Sequence, residues 1–227
     1  GSDRTRFDSP ERVAQAAYRH NGPPAITLYT MINNGTDSGA HTSMMINASQ
    51  RVIFDPAGTV QHPAIVERAD VLYGITPEIE KFYARAHARK TYRVLIQRIE
   101  VPAEVAEQAL QLAVANGAVG QAFCTQSTSQ ILAKLPGFEN IRPTFFPNNL
   151  SAQFGELPGV TSRVLRENDD DDKTKAIAMD RFRSVDRSAT PGNVASRPCP
   201  GAALSFSMER ADQLPLSIAG ARLCRKA

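Results

Sequence analysis

The side chain best suited to chemistry is the thiol of Cys124, in the segment AFCTQSTSQIL. A thiol acts as a nucleophile only as the thiolate, and the positive potential at a helix N-terminus lowers the pKa of a cysteine. The segment from about 122 to 135 is predicted to be a helix, which places Cys124 in its first turn. At 3.6 residues per turn, Thr128, Ile131 and Leu135 share the face of Cys124, so the sulfur is expected to face the rest of the protein. Cys124 is therefore a candidate nucleophile, and the alternative is a small buried residue in a packing face.

A catalytic thiol needs an imidazole that takes and returns a proton, and the candidate is His41. His41 lies within SGAHTSMMINASQRVIFDPAG, residues 38–58, at the start of a predicted strand and beside a glycine-containing turn. This position would hold one side of the ring and leave the other open, whereas the alternative is a hydrogen-bonded histidine on a strand edge. His20 and His87 lie at the ends of predicted helices and are interpreted as surface residues. His62 lies in a loop and remains open as a site residue.

A third polar group usually orients the imidazole through its other nitrogen. Asp55, 14 residues after His41 on the returning strand, is the first candidate, and Gln50, nearer the turn, is a weaker one. A two- or four-residue loop around Ala48-Ser49 would put His41 and Asp55 on opposite faces of the hairpin. A three-residue loop, or a bulge, would make them diagonal neighbours on one face. The sequence leaves this parity open, and an Asp before Pro is also typical of a turn that ends a strand.

The elements that would position these groups are predicted from hydrophobic periodicity and from capping and turn residues. Strands are predicted for AITLYTMIN, HTSMMIN, RVIFD and TYRVLIQRIEV, with a bulge near Gln97 in the last one. HTSMMIN and RVIFD are expected to pair as a hairpin. Further helices are predicted for DSPERVAQAAYRHNG, TPEIEKFYARAHARK, PAEVAEQALQLAVANG and PNNLSAQFGEL. The chain from Pro56 to about Gly74 is predicted to be a polar connection.

The composition narrows the classes of function. The chain has 227 residues, 42% of them apolar, which is enough to bury a core. The net charge of +3 is spread along the chain, so nucleic-acid binding is not expected. No apolar run reaches the roughly 18 residues that a membrane helix needs. The three cysteines lack a C-x-x-C spacing, so no metal site is predicted. At most one disulfide can form, and the positions favour Cys199 with Cys224. No cofactor is expected.

The character of the sequence changes at Val160. Charge clusters such as NDDDDK, with Ser, Pro, Gly and few aromatic residues, predict a weakly ordered segment. The predicted organisation is an N-terminal helix and lead-in (1–24), a main domain (25–159) and a charged, weakly patterned C-terminal extension (160–227). Gly1-Ser2 is typical of the residue pair left by tag removal. A targeting segment could have been removed in the same step, so the lack of a signal peptide in this sequence proves little.

The order of the parts is that of a known family. A histidine-headed hairpin, HTSMMINASQRVIFDPAG, is followed by the long strand YRVLIQRIEV, the helix PAEVAEQALQLA and a cysteine at the start of the helix AFCTQSTSQIL. Over about residues 25–155 this order resembles the circularly permuted papain-like fold of the NlpC superfamily, in the branch related to lecithin-retinol acyltransferase. The resemblance implies an α+β fold whose antiparallel sheet packs against a cysteine-bearing helix. It also implies Cys124 as nucleophile, His41 as general base and acid, and a polar residue on the next strand as orienter.

The resemblance leads to a functional expectation. A cysteine-dependent hydrolase or acyl transferase is expected, acting on an amide or ester of a peptide, a cell-wall peptide or a lipid acyl group. Such proteins are often bacterial and are exported or anchored as lipoproteins, so a periplasmic or cell-envelope location is expected. Phe123 stands where many relatives carry an Asn before the nucleophile. This difference favours the alternative, which is a non-catalytic binding or envelope protein that keeps the papain-like scaffold.

Overall fold

The computed structural model describes residues 6–58, 60 and 62–167. Within them the chain forms an α+β fold with one seven-stranded antiparallel sheet and five α-helices. The strands are β1 (Ala25–Asn33), β2 (Gly39–Asn47), β3 (Arg51–Phe54), β4 (Val66–Arg68), β5 (Val71–Tyr73), β6 (Tyr92–Glu100) and β7 (Thr161–Leu165). The helices are α1 (Pro10–Ala16), α2 (Pro77–His87), α3 (Ala103–Asn116), α4 (Cys124–Leu132) and α5 (Pro147–Gly155).

The strands are arranged in the order β4-β5-β3-β2-β1-β6-β7. β1, β2 and β6 form the centre, and their β-branched and aromatic residues suit a pleated, buried surface. β1 pairs with β6 without a register shift over nine residues, so the predicted bulge near Gln97 is wrong. The hydrophobic phase changes at Gln97 because this side chain is itself buried and donates a hydrogen bond to the Ser151 carbonyl at 3.0 Å.

Helices cover both faces of the sheet. One core contains Met44 of β2 with residues of α3, α4 and α5, and the other contains Met45 with residues of α2. Successive side chains of a strand point to opposite faces, so neighbouring residues of β2 enter different cores. A strand that is buried on both faces carries no polar face, which explains why Met44, Met45 and Ile46 of β2 are consecutive apolar residues.

The length of the β2–β3 loop determines whether His41 and Asp55 lie on the same face of the hairpin, which the sequence left open. The loop has three residues, 48–50, because Asn47 pairs directly with Arg51. This register continues to Phe54 and would place Asp55 opposite Ser43. Asp55 is therefore diagonal to His41, on the same face of the hairpin.

The first helix is shorter than predicted. Ser9 caps it as expected, with its side chain accepting from the Arg12 N–H, but the helix ends at Ala16 and not at Asn21. The chain leaves the helix because Ala17 adopts φ −52° and ψ 123°, and the Tyr18 carbonyl then accepts a hydrogen bond from the Arg51 N–H at 2.7 Å. A contact with the sheet overrides local helix propensity at this point.

Three strands lie where none was predicted. β4 and β5, of three residues each, form a hairpin inside the supposed polar connection after Pro56. β7 pairs with β6 immediately after the predicted domain boundary at residue 159. Strands this short, or this exposed, do not show a period of two. Most of the predicted C-terminal extension, from residue 168 onward, lies outside the described residues, as does the predicted pairing of Cys199 with Cys224.

No helix in the described part of the chain combines the length and the apolar character that crossing a bilayer requires.

Candidate active site

His41 lies near the N-terminal end of β2, beside a β-bulge that sets the direction of its side chain. Met31 pairs with His41 and Ile32 pairs with Gly39, so Ala40 is an extra residue in β2. Such bulges redirect side chains at strand ends. Gly39 allows α5 to approach this bulge, since an added Cβ would lie 2.6 Å from the Cβ of Pro147.

Asp55 directly follows β3 and binds the imidazole of His41. The Nε2 atom of His41 lies 2.7 Å from Oδ1 of Asp55. The backbone of Asp55 is fixed on both sides, because its N–H donates to the Asp70 carbonyl at 2.8 Å and its carbonyl accepts from the Gly58 N–H at 2.9 Å. The turn closes over the carboxylate so tightly that a Cβ added to Gly58 would collide with it.

Cys124 is the first residue of α4, so it lies in the first turn as predicted. The helix brings it to the end of β2, where the neighbouring His41 ring lowers the pKa of the thiol. Because Asp55 binds Nε2, the nitrogen left for the sulfur is Nδ1. The structure thus brings the three predicted side chains together in the order thiol, imidazole and carboxylate.

The electrostatics of the site favour a thiolate beside an imidazolium. Burial raises the pKa of Cys124, but the hydrogen bond and charge of His41, with donors from Thr42 and Thr125, outweigh burial and lower this pKa to about 7. Burial lowers the pKa of His41, but the hydrogen bonds and charges of Asp55 and Cys124 outweigh it and raise that pKa to about 10. Burial also raises the pKa of Asp55, but the hydrogen bond and charge of His41 outweigh burial, so the pKa of Asp55 lies below its ordinary value.

A threonine pair links β2 and α4, the two elements that carry His41 and Cys124. Thr42 of β2 and Thr125 of α4 are fully buried, and their hydroxyl oxygens lie 3.0 Å apart. Each of them directly follows a candidate residue, His41 or Cys124. The backbone N–H of Thr42 also lowers the pKa of the Cys124 thiol. This pair fixes the position of α4 along β2 and therefore the separation of thiol and imidazole.

α2 supplies a second set of side chains behind the imidazole. The hydroxyl of Tyr83 donates to the Ser43 hydroxyl at 2.8 Å, and burial together with the nearby Asp55 charge holds the pKa of Tyr83 well above its ordinary value. The rings of His41 and His87 are stacked, with centroids 6.0 Å apart, and Nδ1 of His87 lies 3.0 Å from the Tyr83 carbonyl oxygen.

The prediction that His87 is a surface residue is wrong, because only 5% of it is exposed. The helical spacing already contained the signal. His87 follows Tyr83 by four residues, so both lie on the buried face of α2.

The thiol and the imidazole open into a cavity of about 570 Å³. Its wall includes Met31, Ala40, His41, Ala57, Gly58, His87, Arg89, Thr91, Tyr92, Gln121, Ala122 and Cys124. Ala122, two residues before the cysteine, has φ +74°, a left-handed conformation that is uncommon for a residue with a Cβ. The chain thus enters α4 through a sharp turn that faces the cavity.

The other two candidates for the third position are placed elsewhere. Gln50 belongs to the loop at the far end of β3, about 20 Å along the hairpin from His41 at roughly 3.3 Å per residue. His62 is buried against Phe82, with ring centroids 5.3 Å apart, and its Nδ1 accepts from the Ala64 N–H at 3.1 Å. Asp55 is therefore the one of the three whose hydrogen bond to His41 is observed.

The same side chains include potential metal ligands. Among the described residues, one nitrogen from each of His41 and His87 and one oxygen of Asp55 lie within 4.8 Å of one another. Imidazole and carboxylate are ligand types that zinc uses. His41 and Asp55 already bind each other, so a metal held by all three residues would compete with this hydrogen bond.

Comparison with protein-family models, with curated proteins and with solved structures found no match. The geometry of the site therefore carries the functional argument.

Proposed function

We propose that this protein is a cysteine-dependent hydrolase or acyl transferase that acts on an amide or ester, with a peptide, a cell-wall peptide or a lipid acyl group as substrate. The observation that carries the proposal is the chain of contacts from the Cys124 thiol through the His41 ring to the Asp55 carboxylate. A nucleophile, a base and an orienting group in hydrogen-bond reach are what nucleophilic acyl transfer requires. The resemblance to the permuted papain-like fold and a cell-envelope location belong to the same proposal.

The first half of the reaction forms an acyl-enzyme. The Cys124 thiolate attacks the carbonyl carbon, a C–S bond forms, and the carbonyl oxygen becomes an oxyanion. The tetrahedral species collapses and expels the amine or alcohol, which takes the proton from the His41 imidazolium. The product is a thioester on Cys124 beside a neutral imidazole that Asp55 holds in place.

The second half restores the thiolate. Water, or the hydroxyl or amine of an acceptor, attacks the thioester and gives its proton to His41. The C–S bond then breaks, the acyl product leaves, and the thiolate is paired with the imidazolium again.

Donors for the oxyanion are present at the start of α4. The N–H groups of the first helical residues, beginning with Cys124, have no carbonyl partner within their own helix. These N–H groups can donate to the oxyanion, and the helix dipole further stabilises its negative charge. Gln121 in the cavity wall offers a side-chain amide as a second donor.

The proposal is tested by the pH dependence of Cys124 alkylation with iodoacetamide, measured by mass spectrometry of the Cys124 peptide. We expect half-maximal reactivity near pH 7, below the value of about 8.5 of an ordinary thiol. His41→Ala should move this midpoint upward, whereas His20→Ala, which removes an imidazole outside the cavity wall, should not. A thiol titration of Cys124 near 8.5 that His41→Ala does not change would overturn the proposal.

A non-catalytic binding protein is the second candidate, and a surface feature favours it. Phe123, Phe145 and Phe146 are 46%, 51% and 70% exposed, and the rings of Phe123 and Phe145 lie 5.9 Å apart. Exposed aromatic residues in contact are typical of an interaction surface. 4-Nitrophenyl acetate separates the two candidates. The enzyme should form an acetyl thioester on Cys124 and turn it over repeatedly, whereas a binding protein should be acetylated once without turnover.

A further inference from the structure

We propose that a second cavity of the protein, on the α2 side of the sheet, binds a small organic molecule that carries a phosphate group. This cavity has a volume of about 390 Å³, and Asn47 at the C-terminal end of β2 lies in its wall. Asn47 follows His41 in the same strand by about 20 Å, at roughly 3.3 Å per residue. The second cavity is therefore separate from the one that Cys124 lines, and the proposed function does not assign it.

The second cavity exists because α2 is shorter than the sheet that it covers. α2 has 11 residues and is about 16 Å long at roughly 1.5 Å per residue, whereas the central strands span about 30 Å. The last residue of the helix, His87, stacks on His41, and the first, Pro77, lines the second cavity. Since the helix begins at Pro77, it leaves the far part of this face uncovered, and Met45 and Ile96 line the cavity there.

Arginine side chains from three strands converge on this cavity. Arg51 of β3, Arg98 of β6 and Arg163 of β7 all lie in its wall, where Glu80 is the acidic residue among those that the structure describes. The register explains part of the convergence, because Arg163 pairs with Ile96, two residues before Arg98 on the same face of β6. Three permanent cations against one carboxylate leave an excess of positive charge, and a concave site with such an excess concentrates anions.

Ion pairs within the molecule use only part of this charge. Arg51 is buried and pairs with Glu80. Arg98 pairs with Glu100 at 2.9 Å, but both side chains are exposed, and exposed pairs are weak enough for a ligand to replace. Within the described part of the chain, Arg163 has no ion-pair partner. Arg163 and Arg98 are therefore the two guanidinium groups that a ligand can engage.

The ring of His20 reports the sign of the potential in this cavity. Its Nδ1 accepts from the Gly22 N–H at 2.9 Å, so the neutral ring carries its proton on Nε2 and can donate it to a ligand. Burial lowers the pKa of His20, and the charges of Arg51 and Arg98 lower it further, against the opposite effect of Glu80. The cations thus outweigh the carboxylate at this part of the wall.

The chemistry of the wall selects a phosphate monoester. The planar fork of a guanidinium matches two phosphate oxygens, and a dianion can engage Arg98 and Arg163 together. Thr27 adds a hydroxyl to the wall that can donate to a third oxygen. The cavity is larger than a phosphate ion needs, and its floor of Met45 and Ile96 is apolar. The ligand is therefore expected to carry an apolar body beside its phosphate.

Equilibrium dialysis against phenyl phosphate measures this binding directly. Phenyl phosphate supplies a phosphate dianion on an apolar ring, and phenyl sulfate has the same ring with one charge fewer. We expect phenyl phosphate to bind several-fold more tightly than phenyl sulfate and than inorganic phosphate, since the wall offers two guanidinium groups and an apolar floor. Absence of phenyl phosphate binding would overturn the proposal. Equally tight binding of inorganic phosphate would also overturn it, because the cavity would then hold the free ion.

Charge-removing variants identify the residues that hold the phosphate. Arg163→Gln should weaken phenyl phosphate binding about tenfold at low ionic strength, the size expected for one charge-assisted hydrogen bond. Arg163→Lys should retain part of the affinity, and salt should weaken the binding. Arg98→Gln, a second exposed position, should cause a loss similar to that of Arg163→Gln. Unchanged affinity in both glutamine variants, with near-UV circular dichroism spectra of folded protein, would overturn the proposal.

The matched control is Arg166→Gln. Arg166 lies three residues beyond Arg163 and outside the wall of the second cavity, and its Nη1 donates to Oδ1 of Asn34 at 3.2 Å. This variant removes the same charge from the molecule and should bind phenyl phosphate like the wild type. Equal losses in Arg166→Gln and Arg163→Gln would overturn the proposal, because they would show an effect of net charge only.

His41→Ala decides which of the two cavities holds the ligand. Phenyl phosphate binding should be unchanged in this variant, and its loss would overturn the proposal by placing the anion beside Cys124. Arg163→Gln should likewise leave the pH midpoint of Cys124 alkylation unchanged. If Cys124 of the wild type titrates near 8.5 while phenyl phosphate binding depends on Arg163, the proposed function fails and the phosphate site stands.

Discussion

Cys124 shows how several weak contacts act on one thiol. The His41 ring, the Thr42 N–H and the Thr125 hydroxyl all lower the pKa of the thiol, and the Thr125 oxygen lies 3.7 Å from the sulfur. The sulfur also lies at a helix N-terminus. Each of these favours the thiolate, and burial opposes them. The thiol is therefore activated by its surroundings, and the strongest of these contacts depends in turn on Asp55.

Asp55→Asn tests that dependence. The amide keeps an oxygen acceptor for Nε2 of His41 but removes the charge that raises the pKa of the ring. In the wild type the imidazolium persists below about pH 10 and the thiolate above about pH 7, so alkylation rises as the pH increases through 7. With a lower pKa at His41, the thiolate loses its cation, and the rise should move to higher pH. We expect the alkylation rate of Cys124 at pH 7 to fall roughly fivefold, because raising a pKa near 7 by about one unit lowers the thiolate fraction from about one half to about one tenth.

The control for this change is Asp37→Asn. Asp37 also pairs with a cation, Arg93, but its side chain is 78% exposed and lies outside the cavity wall. The pH profile of Cys124 alkylation in Asp37→Asn should match that of the wild type. An Asp55→Asn profile that also matches the wild type would show that the carboxylate does not tune the thiol.

At the scale of elements, the contact between β2 and α4 decides whether the site exists. His41 and Asp55 lie on the face of the sheet that α2 covers, whereas Thr42 points to α4 on the other face. The thiol and the imidazole meet only because the first turn of α4 reaches the end of β2. The buried Thr42–Thr125 contact is the polar link between these two elements beside the site.

A double-mutant cycle measures this link. Thr42→Val and Thr125→Val each leave a buried hydroxyl without its partner, which should lower the free energy of unfolding by about 1–3 kcal/mol. The double variant leaves no orphan, so its loss should be smaller than the sum of the two. Urea unfolding gives all four free energies.

Thr30→Val is the matched control for the cycle. Thr30 is fully buried in β1, and within the described part of the chain its hydroxyl has no hydrogen-bond partner. Replacing it should therefore be neutral or stabilising. Strict additivity of Thr42→Val and Thr125→Val would show that the two hydroxyls do not depend on each other.

At the scale of the whole molecule, β7 completes the sheet beyond the predicted domain boundary. It pairs with β6 over five residues, and Leu165 packs against the core on the α2 side. Without β7, the long central strand β6 would become an open edge, which invites pairing with other chains.

Two truncated chains test this role. A chain that ends after residue 167 keeps β7, and one that ends after residue 159 lacks it. The shorter chain should be less stable to urea, by about 2 kcal/mol or more, and should aggregate at lower concentration because of its open edge. Urea unfolding and light scattering measure the stability and solubility of the two chains. If both properties are equal in the two chains, β7 does not stabilise the sheet and the domain boundary lies at residue 159.

Local patterns alone predicted much of the architecture. Ser9 and Thr76 cap helices as expected, and the predicted strand AITLYTMIN is β1 and the predicted strand TYRVLIQRIEV contains β6, because capping residues and apolar runs depend only on near neighbours. The same patterns placed Cys124 at the start of a helix and His41 near the start of a strand. The sequence therefore determined which groups are capable of chemistry and the type of element that carries each of them.

Only the tertiary structure decided whether those groups meet. His41 and Cys124 are 83 residues apart, and their contact depends on how α4 packs against β2, which no local pattern encodes. The three-residue loop placed Asp55 rather than Gln50 beside the ring, since one residue more or fewer would have reversed the face. β5 and β7 likewise depend on pairing with β3 and β6, which are distant in the sequence. The sequence determined the chemistry of the individual side chains, and the tertiary structure decided their geometry, because hydrogen bonds and pKa values depend on distances that only the folded chain fixes.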